Sequence, residues 1–410
     1  MAVLGLRGTG DFGVDERPKS FREMILWRNP NGSAPLTALM SKVRSEKLTD
    51  PEYNWWEEEL NPIRLKVDAA AVGDTDITVN QGDAGDVVAG DLLLVEAPET
   101  PINADGTGYL FSDEIVKVIS VSGAVLTVAR GESGTTPAPV PGDAFVLRIG
   151  NSFAEGTRSA DASTRNPTKS NNFAQIFKTS YELTKTTEGT TFRTGDPVKN
   201  DKKRKMFDHS VTLEHAFLFG KPFEGIGSNG KPERRTGGLL HYLAEASQNT
   251  SPHAAIVWNA PPTVDTFLDN VYRVFDYDTG GQGGAERLIF AGNGWLNTLN
   301  KISKNDPSSR VNFEGTVKAY GMELMKFILP QGTLYVKSHP LMNVNARWEY
   351  SAFVLNPSAI VYRYMRDTMS MDNIQENDAD SRKGQWLTEA GLEVHHTKTM
   401  QYQGNFRTAP

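Results

Sequence analysis

The stretch that most constrains this chain is residues 197–220, PVKNDKKRKMFDHSVTLEHAFLFG, where apolar residues recur at helical spacing. The residues that share this face are Met206, Ser210, Leu213 and Phe217, with Phe207, Val211 and Leu218 beside them. Pro197 suits a helix start, and Gly220, which has no Cβ, suits a left-handed turn that ends a helix. We therefore predict an amphipathic helix of roughly 35 Å, longer than the ordinary globular helix.

Composition limits the classes of protein that remain. The 410 residues are 38% hydrophobic and 9% aromatic, which is enough for two or three domains with ordinary cores. The net charge of -7 gives no global electrostatic reason to hold nucleic acid or an anionic membrane tightly. The chain has no cysteine, which excludes disulfides, thiolate metal sites and cysteine nucleophiles. Stability must therefore come from packing, within the chain or between subunits.

The N-terminal sequence predicts an arm and not a targeting segment. It lacks an apolar run of signal-peptide length, and no stretch is apolar enough to span a bilayer, so we expect synthesis in a cytoplasm. Residues 1–32 are rich in Gly and charge, and Ser33 then precedes a short helical pattern through Val43. YNWWEEEL (53–60) follows as a strand in which Trp55 and Trp56 point to opposite faces.

Residues 66–150 have a different character, with short runs of Val, Ile, Leu and Thr separated by Gly and Asp. The predicted strands are TDITV (75–79), DLLLVEA (91–97), EIVKVISV (114–121), VLTVAR (125–130) and AFVLRIG (144–150). This pattern predicts a small all-β domain, either a barrel or a sandwich, inserted between segments of another character.

The flanking segments predict a ribbon and then a mixed body. FAQIFKTSYELT (173–184) places Phe173, Phe177, Tyr181 and Leu183 on one strand face, and we predict that it pairs with YNWWEEEL. Residues 254–330 alternate between strand and helix patterns, and the remaining tail returns to strands. Because an isolated two-stranded ribbon is marginally stable, we expect it to lie on a neighbouring subunit.

The search for catalytic or binding chemistry gives weak signals. Gly8, Gly10 and Gly13 spell the dinucleotide fingerprint but do not open a helix after a strand, and the Gly280–Gly284 run lacks the ending of a phosphate loop. His209 and His215 are six positions apart, and His395 and His396 are adjacent, so neither pair has metal-ligand spacing; we expect solvated or core-edge roles. We predict no catalytic residue, no metal and no cofactor.

Two basic groups suit contacts between molecules. A basic cluster precedes the apolar part of the long helix and forms a solvated face, salt bridges to a neighbouring subunit, or a contact with a nucleic-acid backbone; its members are Lys199, Lys202, Lys203, Arg204 and Lys205. Arg234 and Arg235 lie in a loop rich in turn residues and could bind phosphate. The candidate interface residues are Trp55, Trp56, Phe177, Tyr181, Lys202, Lys203, Arg204, Arg234 and Arg235.

The order of these segments resembles the major capsid proteins of tailed bacteriophages over essentially the whole chain. The similar stretches include APLTALMSK, YNWWEEEL, FAQIFKTSYELTKT, ERRTGGLL, LPQGTLYVKSHPLM, FVLNPSAIVYRYM and EAGLEVHHTKTMQYQGN. The resemblance implies an α+β fold of the Hong Kong 97 type with an inserted β domain. It also implies a non-enzymatic subunit that self-assembles into hexamers and pentamers of an icosahedral shell around double-stranded DNA.

The resemblance further implies a division of the chain. The arm would be residues 1–45, the extended loop 46–64 and 151–196, the inserted domain 65–150, the peripheral domain 197–240 and 341–410, and the axial domain 241–340. The long helix would pack Met206, Leu213 and Phe217 against the C-terminal strands, with its basic start facing a neighbour or the lumen.

Partners and alternatives follow from the same resemblance. The partners would be copies of the chain, a portal, scaffolding or decoration proteins, and DNA through weak non-specific contact, without a membrane. The protein would be located in the virion after assembly in the host cytoplasm. Two alternatives stay open: the shell protein of a bacterial nanocompartment with the same fold, and a carbohydrate-binding or hydrolytic protein that uses Tyr109, Phe111 and Phe145 of the β domain.

Overall fold

A computed structural model describes residues 44–58, 64–68, 70, 73–79, 87–96, 114–137, 139–140, 145–158, 166–192, 195–249, 251–277, 285–305, 313–319 and 322–407. The chain divides into two compact units, Trp56–Lys169 and a second unit made of Met1–Trp55 with Ser170–Pro410. The predicted arm and its helix, the glycine motifs at Gly8 and Gly280, and Tyr109 with Phe111 lie outside the described residues.

The described elements confirm the α+β class. The strands are β1 (Ser45–Lys47), β2 (Glu52–Glu57), β3 (Arg64–Lys66), β4 (Asp76–Thr78), β5 (Asp91–Val95), β6 (Glu114–Ser122), β7 (Val125–Glu132), β8 (Phe145–Asn151), β9 (Thr168–Phe173), β10 (Gln175–Thr184), β11 (Phe223–Ile226), β12 (Pro232–Arg235), β13 (Ala255–Val257), β14 (Glu286–Ala291), β15 (Phe313–Ala319), β16 (Met322–Ile328), β17 (Thr333–Ser338), β18 (Ala352–Leu355), β19 (Ile360–Asp372), β20 (Ser381–Val394) and β21 (Gln401–Gly404). The α-helices are Lys185–Gly189, Pro197–Phe219, Leu239–Asn249, Val264–Val271, Asn293–Asn305 and Ala346–Glu349. Short 3-10 turns lie at Tyr272–Phe275, Pro340–Val344, Pro357–Ala359 and Thr397–Thr399.

The unit Trp56–Lys169 contains a closed barrel. Its strands follow the order β3-β8-β5-β6-β7-β4, and an antiparallel bridge between Val67 and Val79 joins the two outer strands. Alternate residues point inward, so that Leu65, Leu93 and Val116 belong to a core drawn entirely from this segment. All five strands predicted here are confirmed within two residues at each end.

The second unit contains a mixed seven-stranded sheet in the order β13-β21-β18-β14-β17-β16-β15. Its helices Val264–Val271 and Asn293–Asn305 bury Phe267 and Trp295, whose ring centroids are 5.9 Å apart, and Phe406 lies 5.1 Å from Trp295. Because β18 and β21 come from the C-terminal tail, the predicted boundary between residues 340 and 341 runs across this sheet.

A four-stranded sheet in the order β1-β19-β20-β10 supports the long helix Pro197–Phe219. The ring of Phe217 lies 6.2 Å from Phe177 on β10 and 6.1 Å from Tyr362 on β19, and Leu213 is buried in the same cluster. The expectation that Leu213 and Phe217 pack against the C-terminal strands is confirmed. At the opposite edge of this sheet from β10, the first described strand, β1, pairs parallel with β19.

The predicted pairing of 173–184 with YNWWEEEL is wrong. Strand β2 pairs instead with β9, the strand that immediately precedes β10 in the sequence. Strand β10 pairs with β20 along ten consecutive residues. Ala174 separates β9 from β10, and its N–H donates to the Pro51 carbonyl at 2.8 Å. The long pairing with β20 is favoured because it provides hydrogen-bond partners for the backbone N–H and C=O groups along the whole strand. It also buries Phe177 and Tyr181 beneath the helix.

The long helix is capped differently from the prediction at its C-terminal end. Asp196 caps the start by accepting hydrogen bonds from the N–H groups of Val198 and Lys199, with Pro197 as the first helical residue. Gly220 has a φ of -59°, so no left-handed turn occurs there. A Cβ on Gly220 would lie 2.4 Å from the Ala216 carbonyl oxygen and 2.5 Å from that of Thr236. Close approach of two backbone segments, and not the backbone angle, requires glycine here.

The buried face of the helix also differs from the predicted stripe. Met206 is 48% exposed, whereas His209 and Glu214 are buried. The contact row runs through residues four apart, 209, 213 and 217, and such a row turns around the helix by about 40° per step. The covered side therefore moves away from Met206 toward the start of the helix.

The histidines fall in unlike places. His209 is buried between Thr179 and Thr388, at 3.0 and 2.7 Å from their hydroxyls, which corrects the solvated or core-edge role expected for it. Burial lowers the pKa of His209. His215 is exposed, as expected. Strand β20 ends at Val394, and His396 has a φ of 49°, so His395 and His396 do not continue a strand.

Candidate assembly surfaces

The two adjacent tryptophans on β2 have opposite environments. Trp55 is buried, with its ring 5.8 Å from Tyr242 and 5.9 Å from His395. Trp56 is 61% exposed. The predicted strand with one tryptophan on each face is therefore confirmed, but only Trp56 is available to another molecule.

Phe177 and Tyr181, predicted as interface residues, lie instead in the interior of their own unit. Phe177 packs against Phe217, and the Tyr181 hydroxyl donates a 2.5 Å hydrogen bond to Asp372 at the end of β19. They face the long helix because β10 alternates, and its other face, which includes Ile176, is exposed.

Asp372 connects three elements beside the start of the long helix. Its carboxylate accepts hydrogen bonds from Tyr181 and from Lys202 Nζ at 2.8 Å, and Ser370 lies on the same strand at 3.2 Å. The hydrogen bond from Lys202 and then that from Tyr181 lower the pKa of Asp372 to about 2. Burial and the neighbouring Asp372 raise the pKa of Tyr181 to about 12. The pair therefore stays ionised at the carboxylate and neutral at the phenol across ordinary pH.

The basic cluster is largely paired within the chain. Lys202 pairs with Asp372, and its backbone carbonyl accepts a hydrogen bond from Trp386 Nε1 at 3.1 Å. Arg204 lies 3.8 Å from Asp201, while Lys203 is exposed. A surface depression next to this cluster is lined by Tyr181, Glu188, Thr190–Phe192, Gly195–Lys199, Lys202, Asp372 and Arg382. Local acids thus offset most of the charge that the sequence assigned to a neighbour or to nucleic acid.

Arg234 and Arg235 lie on a two-stranded sheet, β11–β12, which we call the short hairpin (residues 223–235). Arg234 Nε is 2.8 Å from Glu224, and Arg235 is 3.1 Å from Glu233. The guanidinium of Arg235 also lies 5.2 Å from the centroid of the Phe223 ring. Both arginines are therefore held by carboxylates of the hairpin, which disfavours the phosphate site that their spacing allowed.

Sequence reasoning missed a buried amide that joins three segments. Asn172 on β9 donates from Nδ2 to the carbonyls of Leu392 at 2.7 Å and Gly237 at 3.1 Å. Its Oδ1 accepts from the N–H groups of Gly237 at 2.7 Å and Phe173 at 2.8 Å. The side chain is fully buried. An Asn within a polar stretch carries no periodic signal, so the sequence gives no means of finding it.

A second missed group is centred on buried Glu393. The Glu393 carboxylate contacts Arg363, and Arg363 also contacts Glu46 on β1. Glu393 Oε1 lies 2.5 Å from His395 Nε2. Burial raises the pKa of Glu393, but the hydrogen bonds from His395 and Arg363 outweigh it, and the pKa lies below its ordinary value. These ion pairs attach β1, where the described chain begins, to the four-stranded sheet.

Metal-binding clusters and membrane-spanning helices are both relevant to function. Across the ranges that the structure describes, no group of three or more metal-ligating side chains gathers at one point. No helix among those same residues is long and apolar enough to cross a membrane.

Comparison with known proteins gives a match over nearly the whole chain. The family model described as SU10 major capsid protein matches residues 7–401. The major capsid protein of Pseudomonas phage PaMx41 is 26% identical over 377 residues, which cover 89% of this chain and 83% of that protein.

Solved structures give weaker likenesses. The capsid of the native GTA particle has a TM-score of 0.46 at 9% identity and covers 98% of both chains. The capsid of Myoviridae phage XM1 has a TM-score of 0.44 at 8% identity, covering 94% of this chain and 96% of its own. The encapsulin SrpI of Synechococcus elongatus PCC 7942 has a TM-score of 0.42 at 11% identity, covering 61% and 79%. Because these TM-scores are below 0.5, the assignment to a family depends on the sequence match and not on the structural likeness.

Proposed function

This chain belongs to the SU10 major capsid protein family, and from that premise we propose that its copies form the hexamers and pentamers of an icosahedral shell around double-stranded DNA. It is a major capsid protein of a tailed bacteriophage, and its location is the virion. The observation that carries the proposal is the extent of the family match, residues 7–401, which includes both compact units.

We extend the proposal to the arrangement of the subunit. The Hong Kong 97 type division, with an arm (1–45), an extended loop (46–64 and 151–196), an inserted domain (65–150), a peripheral domain (197–240 and 341–410) and an axial domain (241–340), is supported by three features. They are the 23-residue helix on a four-stranded sheet, the barrel with its own core, and the separate seven-stranded sheet. Two strands of the tail, β18 and β21, extend the axial sheet beyond the proposed boundary.

The exposed candidates are the ones we propose as contacts between subunits. They are Trp56, Lys203, Arg204 and Arg235. Trp55, Phe177, Tyr181, Lys202 and the half-buried Arg234 pack or pair within the chain, and we propose them as internal contacts.

We also propose the role and partners in finer detail. The role is structural without catalysis, and a portal with scaffolding or decoration proteins completes the particle. Contact with DNA is weak and non-specific, because a chain of net charge -7 gains little from phosphate neutralisation. Synthesis and assembly take place in the host cytoplasm.

The alternatives have less support. A nanocompartment shell would share the fold, but the family match and the PaMx41 relative are both phage capsid proteins. A sugar site on the barrel would use Phe145, whose ring already faces the guanidinium of Arg64 at 4.0 Å.

Electron microscopy of the chain expressed alone tests the proposal. Closed shells, tubes or capsomers are the expected products. A compact particle that stays monomeric at high concentration would contradict it.

A further inference from the structure

The short hairpin exposes most of its side chains. Phe223, Glu224 and Ile226 on β11 are exposed, as are Pro232 and Glu233 opposite them. Two-stranded sheets are marginally stable in water on their own. A two-stranded hairpin with so many exposed side chains therefore suits a stabilising contact with another molecule.

The base of this hairpin is rigid. Gly238 donates to the Gly220 carbonyl at 3.0 Å, and a Cβ on Gly238 would lie 2.7 Å from the Ala216 carbonyl oxygen. Asn172 donates a hydrogen bond to the Gly237 carbonyl and accepts one from the Gly237 N–H. The hairpin is thus fixed to the end of the long helix and loses little entropy when it binds.

The hairpin combines exposed apolar residues with one positive charge in excess of its carboxylates. Ile226 is 84% exposed and pairs in register with Pro232, while Phe223 is 50% exposed and folds over Gly225. Glu224 and Glu233 neutralise Arg234 and Arg235, which leaves exposed Lys231 at the turn as the surplus charge. A partner must therefore offer apolar surface beside carboxylates.

The end of a second hairpin has the complementary character. We call β19–β20 (residues 360–394) the long hairpin; its bend, NIQENDAD (373–380), carries Glu376, Asp378 and Asp380, all exposed, and no Lys or Arg. Met369 and Met371, about 40% exposed, lie on the strand that leads to this bend. Methionine surfaces adapt to irregular apolar partners.

We propose that the short hairpin of one copy packs on the end of the long hairpin of a second copy, with Ile226 against Met369 and Met371 and Lys231 near Glu376 and Asp378. The contact rests on the proposed function, because it is made between subunits of a shell. It is heterologous, since it joins two different surfaces, and such contacts form a closed ring when the rotation between successive copies closes.

Two sets of variants test the contact by sedimentation and electron microscopy. Ile226→Ser should raise the concentration needed for shell formation by roughly tenfold, while Val344→Ser, which removes a side chain of 71% exposure elsewhere, should leave it unchanged. Thermal unfolding of the dilute subunits should be the same for both. An Ile226→Ser chain that assembles like wild type, or a Val344→Ser chain that fails equally, would overturn the contact.

Charge reversal provides the second set. Lys231→Glu with Arg235→Glu should impair assembly, as should Glu376→Lys with Asp378→Lys, and the four changes together should restore it. If the combined variant assembles no better than either pair, the proposed contact is wrong. A wild-type chain that forms no shell would contradict the proposed function itself, whereas normal wild-type shells with indifferent variants would contradict only this contact.

Discussion

Asn172 is the residue whose removal should harm the subunit most for its size. Asn172→Ala would leave the buried Gly237 N–H without its partner and would remove one of the two hydrogen bonds that the Leu392 carbonyl accepts, the other coming from the Tyr53 hydroxyl. We expect a loss of about 1–3 kcal/mol in the free energy of unfolding, because an unpaired buried polar group keeps its full desolvation cost. Urea unfolding of the purified subunit measures it.

The adjacent residue provides the control for this prediction. Asn171 is exposed, so Asn171→Ala should change stability by less than about 0.5 kcal/mol. Equal effects at the two positions would show that the buried amide does not join β9 to its neighbours.

Asp372 predicts a dependence of stability on pH. Its pKa is about 2 in the folded chain against an ordinary 3.8, so its contribution is complete above pH 3.8 and is lost as the pH falls toward 2. Because the side chain is 39% exposed, we expect Asp372→Asn to cost only about 0.5–1 kcal/mol at neutral pH.

Urea unfolding of wild type and Asp372→Asn at several pH values checks this. The difference between them should shrink toward zero near pH 2. A difference that stays constant over the whole acid range would mean that the carboxylate charge is not its source. Asp378→Asn, at an exposed position in the bend, should match wild type throughout.

At this scale the sequence predicted apolar roles better than polar ones. Leu213 and Phe217 were found by their spacing, since burial of apolar residues follows the helical period. Met206 and His209 exchanged roles because the sheet covers a row that turns around the helix. The requirement for glycine at position 220 was predicted for the wrong reason, a left-handed turn. The actual cause includes the close approach of Thr236, which is distant in sequence.

The β2 strand predicts that two neighbouring tryptophans affect different processes. Trp55→Ser should destabilise the subunit by about 3 kcal/mol or more, because Trp55 packs on Tyr242 and His395 in the core. Trp56→Ser should leave subunit stability within about 0.5 kcal/mol but impair assembly. Thermal unfolding and sedimentation measure the two effects. The reverse ranking would place the assembly contact on the other face of β2.

The separate core of the barrel predicts that the rest of the chain can fold without it. Among the residues that the structure describes, its core includes none outside Leu65–Val146, and the two other cores include none from Trp56–Lys169. Replacing residues 64–151 with a short Gly-Ser linker should therefore leave the remaining unit folded, with cooperative thermal unfolding. Loss of that transition would show that the barrel contributes to the other cores.

Elements were predictable where their own residues determine them. The barrel strands and the helices at 264 and 293 carry local periodicity, and the structure has them. Pairing was less predictable, because β9 has the polar sequence TKSNNF and shows no strand pattern, so β10 was the only visible partner for β2. The choice depends on β20, about 200 residues farther along the chain in sequence order, which offers β10 a longer partner.

For the whole molecule, the order of motifs was more informative than any one of them. No catalytic motif rose above chance, yet the sequence of arm, ribbon, insertion, long helix and returning strands resembled one family, and the family match confirms it. Residues for contacts between subunits are the hardest to predict, because a residue such as Tyr181 has the same sequence pattern whether its own helix or a neighbouring subunit covers it.

The central claim is that copies of this one chain build a closed shell. Cryo-electron microscopy of the purified assembled chain tests it most directly, by the symmetry of the particles. We expect closed particles with fivefold and sixfold clusters of the subunit, and with the barrel visible as a separate density. Monomers that remain dispersed at every concentration, or aggregates without five- or sixfold clusters, would contradict the claim.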